Sequence, residues 1–169
     1  MFKNRPRLQP SCYIGERRYF LTFCTHDRRA LFTNADVVTL VLQQILHAAE
    51  ERRVAVIAYV FMPDHVHLLV EGLDASSDLT KFAHQAKQRS GHAYSQQTQA
   101  RLWQPSYWDH VLRDDEDPTW AVVRYICDNP VRKQLVERWE DYEFTGSAIM
   151  TKQELAREMM CHAAHRWQP

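Results

Sequence analysis

Hydrophobic and polar positions change their period along this chain, and the changes mark the elements. Residues 17–25 are rich in aromatic and β-branched side chains and read as a first strand. Asn34 is a helix cap, and Val38, Leu42, Ile45 and Ala49 follow at helical spacing, which predicts an amphipathic helix over 35–52. Val54 to Phe61 is a continuous apolar run, hence a central strand. A tight connection at Met62-Pro-Asp64 returns the chain as the neighbouring strand His65 to Glu71, where Val66, Leu68 and Val70 alternate with residues of the other face. Ser76-Ser-Asp78 starts a second helix, running to about Tyr94, that packs through Leu79, Phe82, Ala86, Ser90 and Ala93. Residues 101–113 read as a further aromatic strand. Asp117 before Pro118 starts a third helix, and residues 146–169 read as a short helix and tail.

The resulting order, β-α-β-β-α-β-α, predicts an α+β fold: a ferredoxin-like split β-α-β sandwich with helices packed on one face of an antiparallel sheet. The other face is expected to stay open and to hold the active site. A single domain over 1–145, followed by a C-terminal helix and tail over 146–169, accounts for all 169 residues. Nothing repeats internally.

Composition narrows the setting. No run approaches the roughly 18 apolar residues of a membrane span, and the first residues lack the apolar core of a signal peptide, so the expectation is a cytoplasmic protein. Cys12, Cys24, Cys127 and Cys161 are scattered without a C-x-x-C pair, which predicts reduced thiols. Net charge is zero, yet its distribution is uneven: residues 1–30 hold seven cations, Arg17 and Arg18 among them, against two acids. Residues 79–108 hold Lys81, Lys87, Arg89 and Arg101 and no acid, while Asp114-Asp-Glu-Asp117 concentrates negative charge. The second helix presents Lys81, Gln85, Gln88 and Arg89 on its free face, which suits a phosphate backbone and equally suits a plain soluble surface.

Residues two apart on a strand share a face, so His65 and His67 project side by side, a ready two-imidazole metal site. On the third helix Tyr125 and Asn129 are spaced i, i+4 and look at one point, with Pro130 ending or kinking the helix there. Two imidazole nitrogens and an Asn129 oxygen, with open positions, suit Mg²⁺ or Mn²⁺ that also takes substrate oxygens. A tyrosine beside such an ion points to phosphodiester chemistry on nucleic acid. An H-x-H in a strand also fits half-buried histidines of any sheet, and Tyr125 alone also fits a core tyrosine, one of seven. His162 and His165 beside Cys161 imitate a metal cluster in the tail, and His26, His84, His92 and His110 read as surface or supporting groups.

Three segments together resemble the REP-associated tyrosine transposases, a branch of the HUH single-strand endonucleases and single-tyrosine transposases: Phe61-Met-Pro-Asp-His-Val-His-Leu-Leu-Val70, Trp103-Gln-Pro-Ser-Tyr-Trp-Asp-His-Val-Leu-Arg-Asp-Asp-Glu-Asp117 and Tyr125-Ile-Cys-Asp-Asn-Pro-Val-Arg-Lys-Gln-Leu-Val136. With the opening strand, the resemblance spans residues 11–145. It implies that His65 and His67 hold the metal, that Tyr125 is the nucleophile, and that Asn129 stands where relatives carry a polar ligand. It also implies single-stranded DNA hairpins of repetitive extragenic palindromes as partner, a 5′-phosphotyrosine intermediate and a free 3′-hydroxyl. The DNA contacts expected are Arg17, Arg18, Lys81, Gln85, Lys87, Arg89, Arg132 and Lys133, on a monomer or homodimer. Asn129 is shorter than the glutamine of some insertion-sequence relatives.

Three other readings compete. His65-x-His67-x-x-x-Glu71 has the ligand spacing of a cupin-like metalloenzyme, although four glycines and three helical segments suit a glycine-rich barrel poorly. A hydrolase of the H-x-H-x-D kind lacks its aspartate, since Leu69 stands there. A non-catalytic DNA-hairpin regulator derived from a transposase would carry the same motifs.

Overall fold

Nine principal elements follow one another in the computed structural model, which describes residues 9–112, 118–162 and 167. They are β1 (Arg18–Cys24), α1 (Ala35–Glu51), β2 (Val54–Met62), β3 (His65–Gly72), α2 (Leu79–Thr98), β4 (Trp108–Val111), α3 (Thr119–Arg132), β5 (Thr145–Gly146) and α4 (Lys152–Cys161). Lys3, Arg5, Arg7, the acidic run 114–117 and His165 lie outside the described residues. The strands form one antiparallel sheet in the order β4-β1-β3-β2-β5, so the split β-α-β expectation holds and β5 adds an edge.

The apolar alternation explains how the layers assemble. Tyr19, Leu21 and Phe23 of β1 and Val66, Leu68 and Val70 of β3 point to one side, where they pack with Val41 and Ile45 of α1 and Phe82 and Ala86 of α2. Phe20 and Leu69 point to the other side and meet Val122, Val123 and Ile126 of α3 and Leu155 and Met159 of α4. In β2 the register against β3 shifts between Val56 and Ala58. The extra residue, Ile57, switches the parity, so Val56 faces α1 and α2 while Ala58, Val60 and Met62 face α3.

Local chemistry sets the helix ends. The Asn34 side chain accepts from the amides of Asp36 and Val37, and Asp78 accepts from Lys81, each satisfying an N-terminal donor. Thr151 and Glu154 form a reciprocal capping box on α4. Pro118 sits at the N-cap of α3 rather than inside it, and Pro130 lies within the helix, which continues to Arg132.

Three expectations change. The sheet face expected to stay open is covered by α3 and α4, because α3 is apolar over Ala121, Val122, Val123 and Ile126 and buries that stripe on β2 and β3. The long fourth strand shrinks to four residues, joined to the sheet earlier only by a bridge between Thr25 and Trp103. Pro105 lies between them, and Lys87 binds the carbonyls of Gln104, Pro105 and Ser106, so that backbone is satisfied by a side chain instead of a ladder. Finally, β5 was absent from the sequence pattern, being only two residues long. No helix among the described residues is long and apolar enough to cross a membrane.

Candidate functional site

The site begins with strand register. β1 lies antiparallel to β3 with Thr22 opposite His67 and Cys24 opposite His65, on the face that α3 covers. His65 and His67 therefore stand side by side at the end of β3 next to the Pro63-Asp64 turn, and their Nε2 atoms lie 3.1 Å apart. The far nitrogens are both anchored: Nδ1 of His65 to an Asp64 carboxylate oxygen at 2.6 Å, and Nδ1 of His67 to the Thr22 hydroxyl at 2.8 Å. A carboxylate only accepts, so Asp64 fixes the proton of neutral His65 on Nδ1 and leaves Nε2 with its lone pair. Burial lowers the proton affinity of both rings; His67 is driven well below its ordinary value, with the charges of His65 and Arg28 adding to the effect. For His65, burial outweighs the upward pull of Asp64, and Arg28 and Lys133 add to the lowering. Both imidazoles are thus held neutral, the form in which they ligate.

Those features test whether a divalent cation fits. Adjacent positions of an octahedron with bonds of about 2.1 Å are about 3.0 Å apart, which the Nε2 separation matches. Among the described residues no group of three or more His, Cys, Asp and Glu side chains is arranged to hold a metal ion, so any further protein ligand has to be of another kind. Asn129 is 7% exposed, and its Nδ2 donates to the Tyr125 carbonyl at 2.6 Å. The amide nitrogen is thereby occupied, and Oδ1 remains as the acceptor a cation would use.

Helix α3 delivers the phenol. The Tyr125 ring lies with its centroid 5.9 Å from that of His67, 6.0 Å from Phe20 and 5.3 Å from Trp167. The Arg132 guanidinium sits over the same ring, 5.0 Å from its centroid. Burial raises the Tyr125 proton affinity, while Arg132 and the Asn129 amide draw it down. An aromatic wall of Phe20, Trp108, His110 and Trp167 closes the side of the site nearest β4.

His65, His67, Tyr125, Asn129, Arg132 and Lys133 are therefore gathered at one end of the sheet. The remaining expected DNA contacts lie elsewhere. Arg18 pairs with Glu71 at 2.9 Å and with Thr119 at 2.8 Å. It sits towards the opposite end of β1 from the histidines, about 13 Å along the strand from the level of His67 and about 20 Å from that of His65 at roughly 3.3 Å per residue. Arg17 is exposed beside it. That same pairing removes Glu71 from the histidines, and with the barrel absent the cupin-like reading falls. Lys81, Gln85 and Arg89 line an open cavity of about 890 Å³ on α2, behind the sheet as seen from the histidines. Their face is less bare of acids than the helix alone suggested, since Glu51 of α1 bonds Gln85 and Arg89. Lys87, expected to meet DNA, is instead directed into the 104–106 carbonyls and over the rings of Phe23 and Tyr107. Desolvation lowers its pKa to about 8. In the tail, His162 stacks on Trp120 and Cys161 is exposed, with no metal cluster among the described residues there.

Sequence reasoning missed Thr22, Asp64, Arg28 and Trp167. Asp64 adjoins His65 and was legible as its partner; Thr22 and Trp167 reach the site only through strand pairing and the return of the tail.

The profile of the family described as "Transposase IS200 like" matches residues 14–129. The chain is similar to the REP-associated tyrosine transposase of Escherichia coli (strain K12), 26% identical over 137 residues, 79% of this chain and 78% of the relative. It is similar also to a putative REP-associated tyrosine transposase of Haemophilus influenzae (strain ATCC 51907 / DSM 11121 / KW20 / Rd), 26% identical over 152 residues, 83% and 85% of the two chains. Among solved structures, a REP-associated tyrosine transposase bound to a REP hairpin superposes with a TM-score of 0.70 at 22% identity, covering 100% of this chain and 92% of the other. A putative transposase from Deinococcus radiodurans R1 gives 0.51 at 19% identity, over 80% and 92%.

Proposed function

Given that the chain belongs to the IS200-like transposase family, we propose that it is a metal-dependent endonuclease and strand transferase that acts on single-stranded DNA next to hairpins of the REP type. The observation that carries the proposal is the position of the Tyr125 ring, 5.9 Å from an imidazole whose Nε2 is paired at 3.1 Å with a second one. The partner is inferred from the relatives' names and from the cations around the site.

In the proposed reaction Tyr125 gives its proton to solvent and its oxygen attacks phosphorus, an O–P bond forms to the 5′-phosphate, and the P–O3′ bond breaks, the departing oxygen taking a proton from solvent to leave as a free 3′-hydroxyl. The phosphotyrosine link conserves ester energy, so a 3′-hydroxyl returning to it reverses the step and rejoins strands without a nucleotide cofactor. His65, His67 and the Asn129 oxygen would hold Mg²⁺ or Mn²⁺, which when bound polarises the scissile phosphate and offsets transition-state charge. Arg132, above the Tyr125 ring, favours the phenolate, whose proton is otherwise retained by burial. Phe20 and Trp167 set the ring edge-on and limit its swing. Asp64 and Thr22 keep both Nε2 atoms aimed at one point.

Incubation of the protein with end-labelled hairpin DNA carrying a single-stranded flank, with Mg²⁺ or Mn²⁺, and denaturing electrophoresis test this directly. The expected result is a covalent adduct that Tyr125→Phe loses. Retarded hairpin with no adduct under either metal would instead identify a non-catalytic hairpin binder.

A further inference from the structure

Cations reach the site of the histidine pair and Tyr125 from two separate elements. Arg132 and Lys133 come from the end of α3, and Arg28 comes from the turn after β1. Arg28 is close enough that its charge acts on both His65 and His67. Against these stand Asp64, which is already shared by His65 and Arg28 at 2.6 and 3.3 Å, and Asp128, whose charge acts with that of Arg132. A site with three cations around two neutral imidazoles and a phenol, against two carboxylates, is built to receive negative charge, all the more once a dication is present.

The conformation of the turn supports a purpose for Arg28. Asp27 and Arg28 are consecutive non-glycine residues with φ of 53° and 54°, in the left-handed region that side chains avoid. The strain is held in place by Arg28 N–H donating to the Thr25 carbonyl at 3.1 Å and Arg29 N–H to the His26 carbonyl at 3.3 Å. Its effect is to turn the Arg28 side chain back towards β3. There Nη1 meets Asp64 and, at 3.1 Å, the Cys24 sulfur. Nε and Nη2 have no protein acceptor among the described residues, and the side chain is 48% exposed. A half-exposed guanidinium with one edge anchored and the other edge unengaged has the geometry that receives two oxygens of a phosphate.

We infer that Arg28 binds a backbone phosphate of the single-stranded flank as it crosses the histidine pair, so that the strand is gripped by Arg28 and by Arg132 and Lys133. This rests on the proposed reading of the site. Asp64 has a double part in it: it orients His65 and it holds the Arg28 fork, so the strand and the imidazoles share one reference point.

The test compares Arg28→Ala and Arg28→Lys with wild type, using a hairpin with a single-stranded flank and a blunt hairpin without one. Three quantities are measured: the salt dependence of binding, the single-turnover cleavage rate, and Mn²⁺ affinity without DNA by electron paramagnetic resonance. One lost contact to a single strand should flatten the log–log salt slope by about 0.7 for the flanked hairpin alone. Cleavage by Arg28→Ala should fall on the order of 100-fold, while Mn²⁺ affinity stays within about threefold, because the ligand set is untouched. Arg28→Lys should restore the salt slope and only part of the rate, since it keeps the charge and loses the fork. Unchanged slope and rate in Arg28→Ala would overturn the inference. So would a parallel loss of Mn²⁺ affinity with an unchanged slope, which would make Arg28 a support for His65 alone. If wild type forms no adduct, the reading of the site fails, whereas the slope difference still decides whether Arg28 touches the strand.

Discussion

The two faces of the sheet are built from the same strands and do opposite things. On one, Tyr19, Leu21, Phe23, Val66, Leu68 and Val70 are all buried in an apolar core with α1 and α2. On the other, residues one position away alternate in character: Phe20 and Leu69 pack under α3, while Thr22, His65 and His67 bring hydrogen-bonding groups to its end. The first face fixes register, because a slip of one residue would turn its whole apolar set outward. The second inherits that register and uses it to bring the Nε2 atoms of two imidazoles to 3.1 Å from each other, the spacing the proposed ion would require. Stability and chemistry are thereby separated by the two-residue period of a strand.

Neighbouring residues on β3 test this separation most severely. His67→Gln, which keeps the volume but not the imidazole, should lower cleavage on the order of 10³-fold with hairpin binding retained, as read by single-turnover assay and mobility shift. Leu68→Ala, one residue on, should cost about 2–5 kcal/mol of stability in chemical denaturation and leave the folded fraction able to form adduct. If both substitutions acted alike, the division between faces would be wrong.

The support of His67 gives a smaller effect. Thr22→Val is nearly isosteric and removes the partner of Nδ1, so Mn²⁺ affinity should weaken about 10–100-fold while stability changes by about 1 kcal/mol. Titration of Mn²⁺ into the variant measures it.

Arg132→Ala should slow cleavage by about tenfold at pH 7. Burial holds the Tyr125 phenol above its ordinary pKa and Arg132 draws it back, so removing the guanidinium raises it further. The fraction of phenolate rises with pH, so the rate of both proteins should climb with pH and the deficit should narrow near the wild-type pKa. A deficit that stays constant at high pH would mean that Arg132 acts on the phosphate only.

The smallest effect belongs to the far side of the sheet. Lys81→Ala removes one cation already paired with Asp78 at 3.2 Å. It should weaken hairpin binding only a few-fold and flatten the salt slope by about one if a duplex stem lies along α2. An identical slope would confine DNA to the histidine end of the molecule.

Much of this was legible in the chain. The strand alternation around His65-Val-His67 gave the face, the i, i+4 spacing of Tyr125 and Asn129 gave the helix side, and the order of elements gave the split β-α-β topology. What could not be read depends on contacts far apart in sequence. Thr22 meets His67 across 45 residues, and Trp167 meets Phe20 from the far end of the chain. Lys87 looked like a free cation on a helix face, because nothing local announces that a proline-broken segment 17 residues later needs its amine. The covering of the second face followed from the apolar stripe of α3, which was present in the sequence but was assigned no surface to bury.

Peptide mapping of the trapped protein–DNA adduct bears most directly on the pairing of phenol and imidazoles. Mass spectrometry should find the nucleotide on the peptide that contains Tyr125, with none of the other six tyrosines modified. A nucleotide on Tyr107 or any other tyrosine, or a cleaved strand with no covalent link at all, would contradict the assignment of the reaction to this end of the sheet.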